Sequence, residues 1–133
     1  MILVDTNVLL DILTDDPQWA EWSIKALRDH MAKGALAIND IVYAELAGHA
    51  RSAQDLDEDI APFRLTLERT PKTALFLAGQ SFTRYRRSGG IRTGVLADFL
   101  IGAHAQVTGL PLLTRDVGRY LTYFPKVTLI APE

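Results

Sequence analysis

The chain opens with a short apolar run, a polar break and a second apolar run. Residues 2 to 4 (ILV) predict a buried strand, and the polar residues "DTN" supply N-cap chemistry for a helix through "VLLDIL". Similar patterns recur later in the chain. Further strands are predicted at "ALAI" (35 to 38), weakly around Leu65 and Leu67, at "LPLLT" and at "VTLIA".

Apolar stripes at helical spacing predict the helices between these strands. The second helix is expected to begin with Asp16 as its cap and Pro17 at its first helical position, and to stop at Gly34. The other helices are predicted from about Ile41 to Arg51, at the start of "DLDEDIAPFRLTLER", along the stripe that ends at "SGG", and through "VLADFLIGAHAQV". Strands alternating with helices predict an α/β fold, a three-layer α/β/α domain with a parallel sheet of four or five strands.

Length and composition narrow the interpretation further. The 133 residues are expected to form a single domain, 1–133, and 48% hydrophobic content suffices for a core. The absence of cysteine excludes disulfides, thiol catalysis and cysteine-based zinc sites. No apolar run approaches the ~20 residues of a membrane span, so we expect a cytoplasmic protein. The net charge of −2 argues against a generally basic coat for nucleic acid.

Four acidic residues lie where a charge needs an explanation. Asp5 directly follows the first strand and Asp116 follows "LPLLT", although either could be only a cap or turn residue. Glu45 falls within the apolar arc of its helix, and Asp98 is the only formally charged residue of "VLADFLIGAHAQV". A core-paired glutamate and a buried ion pair are the structural alternatives for these two.

The predicted fold gives these carboxylates a common place. In parallel α/β sheets, ligands bind outside the carboxyl ends of the strands, and Asp5 lies at one such end. Clustered carboxylates repel one another, and a hard divalent cation with oxygen ligands relieves that repulsion. Mg²⁺ or Mn²⁺ is therefore the expected occupant.

Four segments resemble the sequence blocks of the PIN domain, and in particular those of the VapC-type toxins of VapBC toxin–antitoxin pairs. They are "ILVDTNVLLDIL", "NDIVYAELA", "LADFLIGAHA" and "LLTRDVGRYLTYFP". The resemblance runs in order along essentially the whole chain. It implies a PIN-like fold and a metal-dependent endoribonuclease whose acidic cluster maps onto Asp5, Glu45, Asp98 and Asp116. One departure is Gly102, where relatives more often carry alanine.

The resemblance also suggests roles for these residues. Asp5, Asp98 and Asp116 would coordinate Mg²⁺ or Mn²⁺, and Glu45 would hold a ligand or its water. Thr114 matches the family's hydroxyl before the last acid and is expected to bond that water or the Asp116 carboxylate. Thr6 and Asn7 match the polar pair that follows the first acid.

Partners follow from the same resemblance. We expect an RNA substrate, a cognate VapB-type antitoxin and a homodimer. We do not expect binding to a membrane. An antitoxin arginine could enter the acidic pocket, and Trp19 and Trp22 could help to form an apolar groove for its tail. These tryptophans are three residues apart, so at least one should be partly exposed.

A basic stretch, "RYRRSGGIR", precedes the Asp98 helix and is the candidate RNA contact. It carries Arg84, Arg86, Arg87 and Arg92, and arginine suits phosphate because its planar fork can bind two oxygens. The alternative is a solvated helix end with cations favourably placed at its C-terminus. The sequence does not decide between these.

Three other functional classes stay open at this point. A receiver-type signalling domain would want paired acids after the first strand and a late lysine near the pocket, and a haloacid dehalogenase-type phosphatase would want D-x-D there. Residue 7 is asparagine, and the only late lysine, Lys126, lies beside Pro125. The third class is a PIN-like module that binds RNA or protein without cleavage. His104 is interpreted as a packing histidine, and Asp11, Asp15, Asp16 and Asp40 as solvated or capping residues.

Overall fold

A computed structural model describes residues 1–92 and 94–133 of the chain. The strands are β1 (Ile2–Val4), β2 (Leu36–Asn39), β3 (Thr66–Glu68), β4 (Leu112–Leu113) and β5 (Leu129–Ile130). The helices are α1 (Thr6–Leu13), α2 (Ala20–Met31), α3 (Asp40–Ala47), α4 (Ala53–Ile60), α5 (Lys72–Arg87), α6 (Leu96–Thr108) and α7 (Gly118–Tyr123), and a 3₁₀ turn spans Ala61–Phe63.

The five strands form one sheet in the order β3-β2-β1-β4-β5, and every neighbouring pair is parallel. The central strand is β1, where Leu3 pairs with Ala37 on one side and with Leu112 on the other. Consecutive side chains of a strand point to opposite faces, and both Leu3 and Val4 are fully buried. Helices therefore cover both faces, and the predicted α/β/α fold with its parallel sheet is confirmed.

Aromatic side chains join the last helices into one part of the core. Phe99 of α6 lies 5.6 Å from Phe82 of α5 and 5.1 Å from Tyr123 of α7, measured between ring centroids. Phe124 packs edge-on against Phe99 at 6.0 Å. This cluster places α7, which follows β4, beside the N-terminal half of α6. Within the described residues, no helix is long and apolar enough to cross a membrane.

The boundaries differ from the sequence predictions at three helices. The second helix begins at Ala20 because the Asp16 carboxylate accepts hydrogen bonds from the backbone N–H groups of Gln18 and Trp19, both at 2.9 Å, which forms a turn before the helix. The third ends at Ala47, before the predicted Arg51, with Gly48 as its C-cap. Helix α7 was not predicted, since six residues carry too little periodicity to identify a helix.

Candidate active site

Asp5 lies at the carboxyl end of β1, where α1 begins. Its Oδ1 accepts a hydrogen bond from the backbone N–H of Thr6 at 2.7 Å, so Asp5 is indeed the N-cap of α1. Its Oδ2, however, accepts bonds from the hydroxyls of Thr114 at 2.9 Å and Tyr120 at 2.8 Å, and from the Asn7 amide at 3.3 Å. A cap needs only the first of these contacts. Asp5 is therefore held in place by three further side chains, one from α1 itself and two from the segments after β4.

Thr114 connects the end of β4 to the end of β1. Its hydroxyl donates to Asp5 and accepts from the Asn7 amide and from the backbone N–H of Asp116, each at 3.1 Å. This arrangement uses the one proton and both lone pairs of a hydroxyl. The expected bond to the Asp116 carboxylate is not what the structure has, because Thr114 contacts Asp116 through the backbone. The Asp116 side chain stays exposed.

A small pocket lies beside these contacts. Its cavity volume is about 20 Å³, room for roughly one water-sized particle. The residues that line it are Asp5, Asn7, Asp98, Asp116, Arg119 and Tyr120. Three of the four predicted acids thus meet in one pocket at the carboxyl ends of β1 and β4.

The fourth acid, Glu45, lies close to the pocket but does not line it. The hydroxyl of Thr6 donates a hydrogen bond to Glu45 Oε1 at 2.5 Å, and this bond links α1 to α3. Coulomb repulsion from Glu45 also contributes to the raised pKa of Asp98. The structure therefore brings all four carboxylates into one electrostatic neighbourhood.

The pocket disfavours negative charge in the absence of a cation. Burial raises the pKa of Asp5 to about 7, against the hydrogen bonds from Tyr120 and Thr114, and repulsion from Asp98 adds to the rise. Burial likewise raises the pKa of Asp98, although its pairing with Arg119 opposes the shift. A cation that enters such a site stabilises the ionised form of its carboxyl groups.

Asp98 is neither fully buried nor without a basic partner. Its side chain is 36% exposed, and Asp98 Oδ2 accepts a hydrogen bond from Arg119 Nη1 at 2.7 Å. The ion pair named as an alternative is therefore present. Asp98 lies in the first turn of α6 and faces the pocket, whereas the buried residues of α6 begin with Phe99.

Sequence reasoning missed Arg119 and Tyr120, both carried by the unpredicted helix α7. Tyr120 is 2% exposed, and burial together with the Asp5 charge raises the pKa of its hydroxyl well above the usual value. It therefore stays a hydrogen-bond donor to Asp5. The apolar spacing of Tyr120, Tyr123 and Phe124 is the signal that could have indicated a short helix here.

Asp11 is neither solvated nor a cap, contrary to its interpretation from sequence. Its carboxylate is 2% exposed and accepts bonds from the Ser23 hydroxyl at 2.8 Å and from Arg115 Nε at 2.7 Å. Arg115 also donates its backbone N–H to Asn7 Oδ1 at 3.3 Å and lies 5.4 Å from the Trp19 ring centroid. These contacts tie the loop that carries Asp116 to α1 and α2.

The four predicted RNA-contacting arginines lie on the surface outside the pocket. Arg84, Arg86 and Arg87 form the last turn of α5, and the backbone N–H of Arg92 donates to the hydroxyl of Tyr85 at 3.1 Å. Arg84 stacks 5.9 Å from the ring centroid of Tyr123, a residue of α7. The basic stretch is thus joined through aromatic rings to the helix that carries Arg119.

The structure also locates the tryptophans and His104. Trp19 and Trp22 are both partly buried, with their rings edge-to-face at 6.4 Å, so the prediction of partial exposure holds. His104 is buried in α6, its Nδ1 lies 3.1 Å from the Asn39 amide nitrogen, and burial lowers its pKa. It packs and bonds inside the core, away from the pocket residues named above.

A divalent cation fits the donor chemistry of this pocket. Its lining offers carboxylate and amide oxygens, the ligands that Mg²⁺ and Mn²⁺ prefer, with no sulfur or imidazole. In the described parts of the chain, no three acidic or histidine side chains converge closely enough to hold a metal in this conformation. The Asp98 carboxylate is already paired with Arg119, and the Glu45 carboxylate already accepts a hydrogen bond from Thr6. A cation would therefore have to replace existing contacts.

Comparisons with known proteins agree on the family. The family model described as "PIN domain" matches residues 2–120. Ribonuclease VapC10 of Mycobacterium tuberculosis is 37% identical over 124 residues, which cover 90% of this chain and 86% of that protein. The VapBC2 structure from Rickettsia felis bound to a promoter DNA fragment superposes with a TM-score of 0.73 at 22% identity, over 98% of both chains. The VapBC-1 structure from nontypeable Haemophilus influenzae gives 0.70 at 18% identity, also over 98% of both chains.

These findings define the class of protein. The chain belongs to the PIN-domain family, and its identity to ribonuclease VapC10 places it with the VapC-type proteins. The resemblance drawn from the sequence is confirmed, and the two alternatives outside this family, the receiver domain and the dehalogenase-type phosphatase, are set aside.

Proposed function

We propose that this chain is a Mg²⁺- or Mn²⁺-dependent endoribonuclease that hydrolyses RNA phosphodiester bonds and serves as the toxin of a VapBC pair. The observation that carries the proposal is the meeting of Asp5, Asp98 and Asp116 in one pocket at the carboxyl ends of two parallel strands. The 37% sequence identity to a ribonuclease, over 90% of the chain, supports the choice of RNA as the substrate.

The side chains would divide the work as follows. Asp5, Asp98 and Asp116 would hold the cation, with Glu45 contributing a ligand or orienting a water. A cation bound here would supply an activated water and neutralise charge that develops on the phosphate. Thr114, Tyr120 and Asn7 keep Asp5 in position, because each donates a hydrogen bond to its Oδ2.

The electrostatics of the pocket favour the binding of a divalent cation. Holding Asp5 and Asp98 ionised without a cation is unfavourable, as their raised pKa values indicate. Burial is the main cause and repulsion between the acids adds to it, and a divalent cation bound here would offset both. Arg84, Arg86, Arg87 and Arg92 would hold the flanking RNA phosphates beside the acidic pocket.

The first experiment measures RNA cleavage by the purified chain with Mn²⁺, with Mg²⁺ and with EDTA. Asp5→Asn, Asp98→Asn and Asp116→Asn should each abolish cleavage, because each removes a metal-binding charge at nearly constant shape. Asp59→Asn, an exposed acid of α4, is the matched control and should cut at the wild-type rate. Wild-type cleavage by Asp98→Asn would contradict the proposal, and RNA binding without any cleavage would favour the non-cleaving module.

The partners form the second part of the proposal. A VapB-type antitoxin encoded beside this chain would restrain it in the cytoplasm, and the partly exposed Trp19 and Trp22 offer a contact for its tail. Co-expression with the neighbouring small reading frame and purification through a tag on this chain should recover a stoichiometric complex. Unhindered growth when this chain is produced alone, without any such partner, would remove the toxin role even if cleavage survived. The expected homodimer is tested by light scattering on the same preparation.

A further inference from the structure

One basic residue lies inside the acidic pocket. Arg119 lines it together with three carboxylates, and its Nη1 lies 2.7 Å from Asp98 Oδ2. Its side chain is 18% exposed, so the guanidinium is largely withdrawn from solvent. Arg119 therefore supplies, within the chain itself, the positive charge that the carboxylates require when no metal is bound.

The ion pair and a metal compete for the same group. If Asp98 is a metal ligand, its Oδ2 cannot keep a close guanidinium contact while a second cation binds beside it, since two cations at that distance repel. This competition agrees with the finding that no three acidic or histidine side chains of the described residues converge on a metal position in this conformation. A metal that binds Asp98 through Oδ2 thus requires Arg119 to leave that oxygen.

Arg119 has a second contact that does not depend on Asp98. Its guanidinium lies 5.5 Å from the ring centroid of Tyr85 on α5. That ring is fixed in turn by Phe99 at 5.5 Å and Tyr123 at 6.1 Å between centroids, and by the backbone N–H of Arg92 on its hydroxyl. A guanidinium released from Asp98 can therefore stay at the mouth of the pocket, stacked on Tyr85.

We propose that Arg119 exchanges partners during the reaction: it neutralises Asp98 in the metal-free protein and binds the RNA phosphate once a metal has taken Asp98. The inference rests on the proposed function. Its physical basis is that the planar fork of arginine fits a phosphate as well as a carboxylate. The metal and the guanidinium would then hold the same phosphate from two sides, with Tyr85 orienting the arginine.

This exchange predicts opposite effects of one substitution on metal binding and on cleavage. Arg119→Met keeps the length of the side chain but removes the competing charge. Its Mn²⁺ affinity, measured by melting temperature against Mn²⁺ concentration, should rise by about fivefold, the equivalent of one partly exposed ion pair. At saturating Mn²⁺ its initial rate on total cellular RNA should fall by at least about tenfold, as expected on losing a charged contact to phosphate.

Two further variants separate charge from shape. Arg119→Lys keeps a competing charge but not the planar fork, so its Mn²⁺ affinity should stay near wild type while its rate still falls. Arg28→Met removes one exposed arginine from α2 and should change neither quantity. A residue with a merely structural role would weaken metal binding and cleavage together.

The results that overturn the exchange are distinct from those that overturn the function. Arg119→Met with unchanged or weaker Mn²⁺ affinity, or with the wild-type rate, would overturn it while the wild type still binds Mn²⁺ and cuts RNA. If neither the wild type nor Arg119→Met binds Mn²⁺ or cuts RNA, the proposed function and the exchange both fail.

Discussion

Two features of its surroundings shift the pKa of Asp5 in opposite directions. Burial at 3% exposure favours the neutral acid, whereas its hydrogen bonds from Thr6, Thr114 and Tyr120 favour the anion. Burial prevails, and the pKa rises to about 7. A carboxyl group with such a raised pKa makes the stability of the metal-free protein depend on pH.

The contribution of Asp5 to the free energy of unfolding of the metal-free protein should fall as the pH rises from about 4 to about 7. In that range the folded state still holds the Asp5 proton, whereas the unfolded state, with a pKa of 3.8 for this group, has already released it. Raising the pH therefore favours unfolding. For this one group the slope is at most roughly 1.4 kcal/mol per pH unit. Urea titrations in EDTA at several pH values measure it.

The difference between the wild type and Asp5→Asn isolates this contribution from other titrating groups. The variant should lose that part of the slope, and its stability should also be lower, because asparagine offers one acceptor oxygen where Asp5 uses two. An identical pH profile for both proteins would show that Asp5 ionises as an ordinary exposed aspartate.

Asp116 provides the cleaner test of repulsion among the acids. Its side chain is exposed, and its charge contributes to the raised pKa of Asp98. Asp116→Asn should therefore raise the melting temperature slightly in EDTA and lower it relative to wild type in Mn²⁺. Thermal melts in both buffers measure this reversal, with Asp59→Asn as the control that changes in neither. A loss of stability in EDTA would indicate that Asp116 is held by attractive contacts.

Charge in an apolar setting was the signal that found the acidic residues from sequence. It selected Asp5 and Asp98, which line the pocket, and the same signal is present at Asp11 within "VLLDIL", where solvation or capping is the wrong interpretation. The basic partners carried no such signal, because the stretch "TRDVGR" that contains Arg115 and Arg119 has no apolar stripe against which an arginine would stand out. Their contacts depend on the packing of segments that are distant in the chain.

At the level of helices, α6 and the residues after α7 fit closely at Gly102. A Cβ atom built there would overlap the Phe124 ring. Gly102→Ala should therefore destabilise the protein by roughly 1–3 kcal/mol despite its better helix propensity. Urea unfolding measures the change.

Gly79 is the matched control, since it lies within α5 and its added Cβ would meet nothing within 4 Å. Gly79→Ala should stabilise the protein by about 0.5–1 kcal/mol. Equal and stabilising effects at both positions would mean that Phe124 can move aside.

The loop between β4 and α7 is anchored by the ion pair between the buried Asp11 and the partly exposed Arg115. Arg115→Met leaves a carboxylate that is 2% exposed without its cation, which should cost about 3–5 kcal/mol of stability. The double variant Asp11→Asn with Arg115→Met removes the unpaired charge, while the new amide oxygen can still accept the Ser23 bond, and should be more stable than the single one. A double variant that is no more stable would show that Arg115 stabilises through Trp19 and Asn7 instead.

For the complete chain, Mn²⁺ or Mg²⁺ should raise the melting temperature of the wild type, since a ligand that binds only the folded state stabilises it by mass action. At a metal concentration of about 100 times the dissociation constant the gain is about 2.7 kcal/mol. Proton release on binding should make the effect larger at pH 8 than at pH 6, because the cation needs Asp5 ionised.

Most of the architecture was predictable because long apolar segments encode it locally. Strands such as β2 are buried along their whole length, and α5 and α6 present apolar stripes over several turns. The start of α2 and the existence of α7 were not predictable, since a capped turn and a six-residue helix depend on tertiary contacts. The candidate site divides in the same way: the acids were visible in the sequence, and the residues that orient or neutralise them were not.

The strand order also has a consequence for synthesis on the ribosome. The first strand made, β1, is the centre of the sheet, and one of its two neighbours, β4, comes near the end of the chain. The bond that fixes Asp5 from Thr114 joins residues 109 positions apart. Because a nascent chain emerges N-terminus first, the hydrogen bonds from Thr114 and Tyr120 to Asp5 can form only when translation is almost complete. Under the proposed function, the cleavage site of this chain is therefore completed only after β4 and α7 have been made.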